Sequence, residues 1–333
     1  MLQPTKPRFK IIYKGIDITE ELGPDLISCT YTDKVHGEAD DVDIAVHDKL
    51  GLFRGDWFPE HGDTVDLSIG YVGLPLVPCG LFEIDNPTTK LGRGGDTFSF
   101  KAVSAPVKKS LRTGKTKAYE NQTVKQIAEK IAGEHGLTIV GTPPDVFFER
   151  QTQRRERDLE YLSRLALEYG GYFTVKGLQL VFAMRDEVHG RDPVFVFRHN
   201  TDDYVTADLK HEATKTAKKA KVSYFDGHKK KLIEAEVEDD DVKTGDTVRI
   251  DDRVENEDQA SRRAKSELGD KNRKAWSGTI ACVGNPLLMA GQIIALDAGF
   301  GRWSERKYVI KSSRHHLTRT AYSTTIEIEQ AKG

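Results

Sequence analysis

Three carboxylates at the start of a predicted helix, Glu156, Asp158 and Glu160, are the residues best placed for acid–base chemistry. A glycoside hydrolase needs two carboxyl groups across a cleft, and one of them must stay protonated through a raised pKa. Here arginines are interleaved with the acids, and the N-terminus of a helix stabilises a carboxylate in its ionised form. The cluster therefore predicts a helix cap, and none of the three acids is predicted to be a general acid.

Three further motifs resemble nucleotide or metal sites but lack a required feature. Gly114-Lys115-Thr116 has the ending of a phosphate-binding loop, yet the first glycine of that motif falls on Lys109, so a plain loop is predicted. His211-Glu212 begins like a zinc-binding helix, but Lys215 stands where the second histidine belongs. His315-His316 are neighbours on a predicted strand, where adjacent side chains face opposite sides and cannot easily share a metal ion.

The remaining candidates are acidic and glycine-rich stretches. Asp239-Asp240-Asp241 and Asp251-Asp252 lack the spacing and the glycine of a calcium loop. No helix pattern follows the glycines of residues 91–96, so that stretch predicts a hairpin loop instead of a phosphate cradle. No serine or cysteine lies in a recognisable nucleophile elbow. The sequence thus predicts no catalytic, cofactor-binding or metal-binding residue, and a protein that is not an enzyme.

The composition indicates a globular protein of two or three domains. The 333 residues are 31% charged and 38% hydrophobic, and the formal net charge of −2 argues against a nucleic-acid or membrane partner. Cys29, Cys79 and Cys282 are far apart and predict buried thiols in a reducing compartment. The first seven residues have no apolar signal core, and no apolar run approaches membrane-spanning length. Synthesis and assembly in the cytoplasm are therefore expected.

Alternation and helical periodicity divide the chain into three predicted parts. Residues 1–103 are strand-rich, residues 104–200 form an α+β domain, and residues 201–333 return to strands with a helical insertion near 256–269. Period-two alternation, as in Val42–Val46 and Val65–Ile69, is typical of antiparallel sheets and small barrels with one buried face. The predicted fold class is a β-rich α+β protein with two antiparallel β modules and an inserted α+β domain.

Three helices are predicted, and two of them have clear start signals. Thr123 and Gln126 are spaced as a capping box, and Gly136 is predicted to end the first helix. The helix that opens at Asn256 is predicted to close at Gly269. Between them, the second helix is predicted to end at Gly170-Gly171, directly before a hairpin over residues 172–182. Its apolar face, one of the narrow stripes expected to pack on a sheet, consists of Leu159, Leu162, Leu165, Ala166 and Tyr169.

A strand pattern near the front of the chain occurs again near its end. Residues 62–71 match residues 291–300 at one common offset, with Val65 opposite Ile294 and Leu67 opposite Leu296 in the alignment. A second strand follows each copy, over 82–84 and 308–310, and a third over 97–100 and 325–328. A repeat of this kind predicts pseudo-symmetry, because an assembly of three chains would then present six equivalent modules.

Two stretches of opposite charge follow one another in the third part. The basic stretch contains Lys210, Lys215, Lys218, Lys219, Lys221, Lys229, Lys230 and Lys231, and the acidic stretch contains Glu234, Glu236, Glu238, Asp239, Asp240 and Asp241. Such neighbours predict a solvated hairpin whose strands carry complementary charges. A contact with a partner ring or a pore is the alternative interpretation.

Several segments, taken together and in order, resemble the late control D family of phage baseplate hub proteins, which is related to the hub part of VgrG spike proteins. The most specific match runs from Arg157 to Phe173 and carries the family's acidic-x-x-aromatic-Leu-x-Arg-Leu-Ala-x-x-x-Gly pattern. Residues 123–137 and residues 284–310 match further parts of the family. The matches run in family order and cover most of the chain.

The resemblance implies a structural role. It implies a homotrimer in which each chain contributes two tube-like β-barrels, and a ring that joins the six-fold tail tube to a three-fold central spike. The tail tube protein, a separate spike protein and other baseplate proteins would be the partners, and the virion tail would be the final location. A fused lysozyme domain or needle is not expected, because the chain stops soon after its last module.

Under this interpretation the motif residues serve packing and turns. Packing is expected of Val65, Leu67, Val124, Leu162, Leu165 and Ile294, and strand-end turns are expected at Gly62, Gly70, Gly291 and Gly299. A tail-associated peptidoglycan hydrolase with acids from the middle domain is the alternative function. A nucleic-acid binder using the lysines from Lys210 to Lys231 is a third possibility, and the acidic run beside them and the near-neutral total charge argue against it. The sequence does not distinguish a phage role from a secretion role.

Overall fold

The computed structural model describes residues 6–37, 39–60, 62–104, 113–227, 230–243 and 245–332. Lys109 and Lys229 lie outside the described residues, as does most of the N-terminal stretch. The first part of the chain contains strands β1 (Pro7–Tyr13), β2 (Ile16–Asp17), β3 (Leu26–Lys34), β4 (Asp41–His47), β5 (Thr64–Tyr71), β6 (Val77–Ile84), β7 (Thr88–Lys90) and β8 (Thr97–Val103), with the one-turn helix α1 (Thr19–Leu22).

The middle of the chain alternates strands and helices. It contains β9 (Lys115–Thr123), α2 (Val124–His135), β10 (Thr138–Gly141), β11 (Phe147–Glu156), α3 (Asp158–Glu168), β12 (Gly171–Lys176), β13 (Gln179–Met184) and α4 (Arg185–His189). Strands β10, β13 and β12 form one small sheet, and β11 pairs with β9 in another. The apolar faces of α2 and α3 close a separate core beneath these sheets.

The last part returns to strands around one long helix. It contains β14 (Phe195–Phe197), β15 (Thr206–His211), β16 (Ala217–Asp226), β17 (Lys231–Glu238), β18 (Asp246–Ile250), α5 (Glu257–Arg273), β19 (Trp276–Val283), β20 (Ile293–Leu296), β21 (Lys307–Leu317) and β22 (Tyr322–Gln330). Short 3-10 helices lie at Gly23–Asp25 and Ala213–Lys215, and Ala298–Glu305 contains two 3-10 segments separated by a kink at Gly301. Strands β16 to β18 form a side sheet that α5 covers.

The first and last parts are built from the same sequence of paired strands. In the front set the order is β3-β4-β8-β6-β5-β1, and in the rear set it is β15-β19-β22-β21-β20-β14. Every pair within the sets is antiparallel except β14 with β20, which is parallel where its counterpart, β1 with β5, is antiparallel. The repeat read from the sequence is therefore confirmed as a repeat of strand order.

The register of the pairs aligns the two sets residue by residue. Val65 is opposite Phe82 in the front set, and Ile294 is opposite Tyr308 in the rear set, as the sequence alignment of the first two strands requires. In the third strand the sequence alignment was two residues out. The structure matches Ala102 with Ile328, since these lie opposite Ile84 and Ile310. A two-residue shift keeps the same faces in and out, so alternation cannot detect it.

Each helix start that the sequence indicated is present. The side chain of Thr123 accepts from the N–H of Gln126 while the Gln126 side chain accepts from Thr123, and Gly136 ends α2 in a left-handed conformation. Asn256 caps α5 by accepting from the N–H of Gln259 at 2.8 Å. The six residues expected to serve packing are all buried: Val65, Leu67, Val124, Leu162, Leu165 and Ile294.

The predictions of one helix end and one loop were wrong. Gly269 does not close α5, which continues to Arg273 because Asn272 is buried and bonds the backbone of Ala217 on both sides, outweighing the ~1 kcal/mol helix cost of glycine. Lys115 and Thr116 are not in a loop. They begin β9, where Thr116 pairs with Arg154.

The four glycines predicted at strand-end turns occupy two kinds of position. Gly62 and Gly291 adopt φ angles of 92° and 80°, as turn residues require. Gly70 lies inside β5, and Gly299 lies in a 3-10 helix, so these two are not turn positions. At Gly299 a Cβ would lie 2.5 Å from the Cβ of His199, and close packing therefore excludes a side chain there.

Candidate assembly interface

One long strand of the rear set joins the two sets within the chain. The first residues of β21 pair with β20, and its last residues pair with β3 of the front set, from Ser312 opposite Lys34 to Leu317 opposite Cys29. The two sets thus share one continuous run of backbone hydrogen bonds. We call this pairing of β21 with β3 the internal seam.

One face of the internal seam is buried. Leu317 is 0% exposed and Tyr31 on the facing strand is 2% exposed. Between them lies His315, whose Nε2 is 2.8 Å from the Ser313 hydroxyl and whose Nδ1 is 2.9 Å from the Tyr322 hydroxyl. Burial lowers the pKa of His315 to about 4, so the ring is neutral at physiological pH.

The loop between β19 and β20 reinforces the seam from the rear set. The Tyr71 hydroxyl donates to the carbonyl of Gly284 at 2.7 Å, and its ring lies 5.3 Å from that of Tyr322. The N–H of Ala290 donates to Oδ2 of Asp33 at 2.9 Å. Front and rear sets are therefore held together by side chains as well as by strand pairing.

A buried ion cluster fixes the middle of the chain to the same place. Lys176, at the end of β12, contacts Asp33 and lies 2.7 Å from Oδ2 of Asp40. Both carboxylates are almost fully buried, and burial together with the neighbouring Asp33 raises the pKa of Asp40 in spite of the lysine. Because Asp33 also accepts from Ala290, one carboxylate links all three parts of the chain.

Three further hydrogen bonds complete this attachment of the middle segment. The N–H of Gly37 donates to the carbonyl of Phe173 at 3.2 Å, and the N–H of Phe173 donates to Nδ1 of His36 at 3.1 Å. The hydroxyl of Ser104 donates to the carbonyl of Val175 at 3.1 Å. The sequence offered no signal for this cluster, since its residues are spread over the chain and match no motif.

The acids of the middle segment serve structure. Glu156 receives two hydrogen bonds from the Arg164 guanidinium, at 2.7 and 2.9 Å, and Glu160 caps α3 through the N–H of Arg157. Burial alone would raise the pKa of Asp158, but hydrogen bonds from Lys115, Gln153 and His135 outweigh it and hold that pKa low. A low pKa is the opposite of what a general acid requires.

Asp158 also belongs to a group with the composition of a metal site. Oxygen and nitrogen atoms of Glu134, His135 and Asp158 lie within 4.8 Å of one another. Lys115 and Lys117 place their ammonium groups 2.6 Å from Asp158 and Glu134, respectively, where a cation would be expected. The arrangement is that of an ion-paired helix contact.

The other sequence candidates have structural roles as well. His315 and His316 face opposite sides of β21, as expected, and His316 bonds the Thr30 hydroxyl. His211 stacks on Trp276 at the end of β15. The three cysteines are buried, as predicted, and none forms a disulfide. The lysine-rich and glutamate-rich strands form the expected hairpin, with Lys219 2.8 Å from Glu236 and Lys221 3.0 Å from Glu234.

Comparison with known proteins identifies the family. Residues 103–321 match the model of the phage tail baseplate hub (GPD) family, which is well over half of the chain. The chain belongs to this family. A probable baseplate hub protein of Escherichia phage P2 is 29% identical over 179 residues, and that of Escherichia phage 186 is 28% identical over 179 residues. The aligned region covers 53% of this chain and 45% and 44% of those proteins, so the chain spans less than half of their length.

Solved structures share the fold of this hub-family chain. A tail protein from Neisseria meningitidis MC58 superposes with a TM-score of 0.74 at 13% identity, over 97% of this chain and 96% of that one. The 43 kDa tail protein of prophage MuSo2 from Shewanella oneidensis gives 0.71 at 15% identity, over 96% and 97%. The Escherichia coli c3393 protein, a component of the type VI secretion system, gives 0.60 at 13% identity, over 92% and 74%.

No helix among the described residues is long and apolar enough to cross a membrane.

Proposed function

We propose that this chain is the structural hub of a contractile phage tail or a phage-tail-like particle. Three copies form a ring of six strand sets, each curled into a tube-like β-barrel, which joins a six-fold tail tube to a three-fold central spike. The observation that carries the proposal is the repeated strand order, β3-β4-β8-β6-β5-β1 and β15-β19-β22-β21-β20-β14, within one chain of the baseplate hub family. Two alike units per chain convert three-fold into approximate six-fold symmetry.

The internal seam supports the same proposal from its geometry. It joins a rear set to a front set side by side, through paired strands with one buried face. Proteins keep unpaired strand edges short or covered, and ring closure between copies removes such edges altogether. We propose the domain limits 1–103, 104–200 and 201–333, with β14 at the end of the middle range completing the rear set through its pairing with β20.

The ring is tested by electron microscopy of the purified chain in negative stain. Class averages viewed along the axis are expected to show three-fold symmetry with six inner densities around a central opening. The tail tube protein and the spike protein of the same particle, added separately, are expected to bind opposite faces of that ring. Averages of single globular particles at every protein concentration would contradict the proposal.

A peptidoglycan hydrolase is the competing function, and its chemistry is tested directly. The hydrogen bonds that Glu156 accepts from Arg164 and the lowered pKa of Asp158 lead us to expect no cleared band when the purified chain is run on a peptidoglycan zymogram. A lysozyme of known activity in the next lane is the control. A reproducible cleared band that disappears in Asp158→Asn would establish the enzyme instead.

A further inference from the structure

Each strand of the internal seam has a counterpart elsewhere in the chain. Strand β21 corresponds to β6 and β7 taken together: Ile84 matches Ile310, and Thr89 matches His315 at the same separation in sequence. Both matches follow from the pairing partners on β8 and β22. The last half of β21, which forms the seam, is thus the counterpart of β7.

The other strand of the seam has a counterpart in the rear set. Cys29 of β3 lies opposite Ile44, and Ala207 of β15 lies opposite Ile280. Ile44 and Ile280 match each other, because their partners on β8 and β22 match. Strand β15 is therefore the counterpart of β3, and Ala207 is the counterpart of Cys29.

The counterparts differ in one property, which is burial. Leu317 is 0% exposed in the seam, whereas its counterpart Leu91, directly after β7, is 67% exposed. Tyr31 on β3 is buried, whereas its counterpart Leu209 on β15 is half-buried at the margin of the rear core. Among the described residues, β7 pairs only with β8 and β15 pairs only with β19. The chain therefore carries one closed seam and both halves of an open one.

We propose that β7 of one copy pairs antiparallel with β15 of the next copy and repeats the internal seam between chains. This inference rests on the proposed ring, and it fixes the register of the contact. Leu91 lies opposite Ala207 of the neighbouring copy, Lys90 opposite Asp208, and Thr89 opposite Leu209. We call this contact between copies the external seam. Each copy contains one internal seam and shares two external seams with its neighbours, so the ring has no open strand edge at these positions.

The side chains at one position of the external seam support this register. In the internal seam the corresponding pair is His316 and Thr30, whose side chains bond at 2.9 Å. The external seam places Lys90 directly opposite Asp208, and these residues have opposite charges. Neither forms an ion pair with another described residue within its own chain. Opposite charges facing each other across strands stabilise the pair, and like charges destabilise it.

Charge reversal tests the register through the assembly equilibrium. Lys90→Asp and Asp208→Lys each place like charges face to face three times around a ring, and each is expected to raise the concentration at half-assembly at least about tenfold. The double variant K90D/D208K restores opposite charges and is expected to assemble close to the unmodified chain. Lys125→Glu on α2 reverses another exposed charge away from the seam and is expected to have no effect.

Paired cysteines test the same register by covalent capture. In Lys90→Cys/Asp208→Cys, oxidation is expected to join copies into covalent dimers and closed trimers on a denaturing gel. The matched control is Thr30→Cys/His316→Cys, the same position of the internal seam, where a disulfide is expected to form inside one chain without raising its mass. The unmodified chain, with its three buried cysteines, sets the background.

The outcomes separate this inference from the proposed function. The external seam is overturned, and the ring is left standing, by two results together. The variants K90D and D208K form trimers normally, and K90C/D208C gives no crosslink although the T30C/H316C control forms its disulfide. An unmodified chain that is monomeric at every concentration overturns both. Crosslinked trimers and rescue in the double charge variant establish the register.

Discussion

Replacement of Lys176 by methionine is the sharpest test of how the three parts of the chain are held together. Methionine keeps most of the length and the apolar character of the stem, but it removes the ammonium group that contacts Asp33 and Asp40. Both carboxylates are almost fully buried, so neither can replace that contact with water. Removing one partner of a buried ion pair costs about 3–5 kcal/mol in unfolding free energy, because the remaining charge stays buried without compensation.

The pH dependence of that loss follows from the same geometry. Burial and Asp33 raise the pKa of Asp40, with Lys176 opposing them, so removal of the lysine raises that pKa further. A carboxyl whose pKa is raised in the folded state binds more protons folded than unfolded, and it therefore gains stability as the pH falls. The deficit of Lys176→Met is expected to be largest near pH 8 and to shrink towards pH 5.

The assay is urea unfolding followed by circular dichroism at pH 8 and at pH 5, with Lys125→Met as the matched control. Lys125 lies on α2 with a solvent-exposed side chain, and its loss is expected to change the free energy of unfolding by less than about 0.5 kcal/mol. Equal stability of Lys176→Met and the unmodified chain at pH 8 would refute the reasoning, as would a deficit that does not depend on pH.

Three further predictions concern the seams and one helix cap. Leu317→Ala is expected to lower the free energy of urea unfolding by about 2–5 kcal/mol because its site is fully buried. Leu91→Ala is expected to change the stability of the monomer by less than about 0.5 kcal/mol and to weaken assembly measured by sedimentation. A larger loss of monomer stability in Leu91→Ala than in Leu317→Ala would contradict both seams. His315 has a lowered pKa in the folded state, so the unfolded state binds its proton first as the pH falls from 6.5 towards 4. Between pH 7.5 and pH 5, His315→Gln is therefore expected to lose about 2 kcal/mol less unfolding free energy than the unmodified chain in the same urea assay. Parallel pH profiles of the two proteins would exclude a buried neutral ring. Thr123→Ala is expected to lower the unfolding free energy by about 1 kcal/mol through the lost cap, with Thr123→Ser as the control that keeps it.

Sequence patterns predicted the elements whose causes are local. The capping box at Thr123 and the apolar stripe of α3 depend on residues three or four positions apart, and both are present as predicted. The repeat was visible because the corresponding strands β5 and β20 bury matching positions, Val65 and Leu67 in one and Ile294 and Leu296 in the other. These features depend on short sequence segments, in which hydrophobic periodicity and capping residues directly indicate the element.

The features missed by sequence reasoning depend on contacts between distant residues. The buried cluster joins Asp33, Asp40 and Lys176, which no spacing rule connects. Helix α5 passes Gly269 because Asn272 bonds a strand more than fifty positions earlier in the chain. The two-residue error in the third repeat strand arose because side-chain direction has a period of two, so only strand pairing could correct it.

The residues of the proposed assembly surface could not be predicted from the sequence. Leu91 and Leu317 each follow a polar stretch, residues 88–90 and residues 311–316, and the local sequence does not indicate that one is exposed and the other buried. Only the paired strands show that they are counterparts. The difference between them then becomes informative, because the same position is satisfied once inside the chain and once left open.

The most direct test of the central claim is the native mass of the purified chain, measured by light scattering over a range of concentrations. A ring that presents six strand sets from three copies predicts a trimer of about three times 37.3 kDa, stable on dilution to low micromolar concentration. A mass of one chain at every concentration, with or without the spike protein present, would contradict the account.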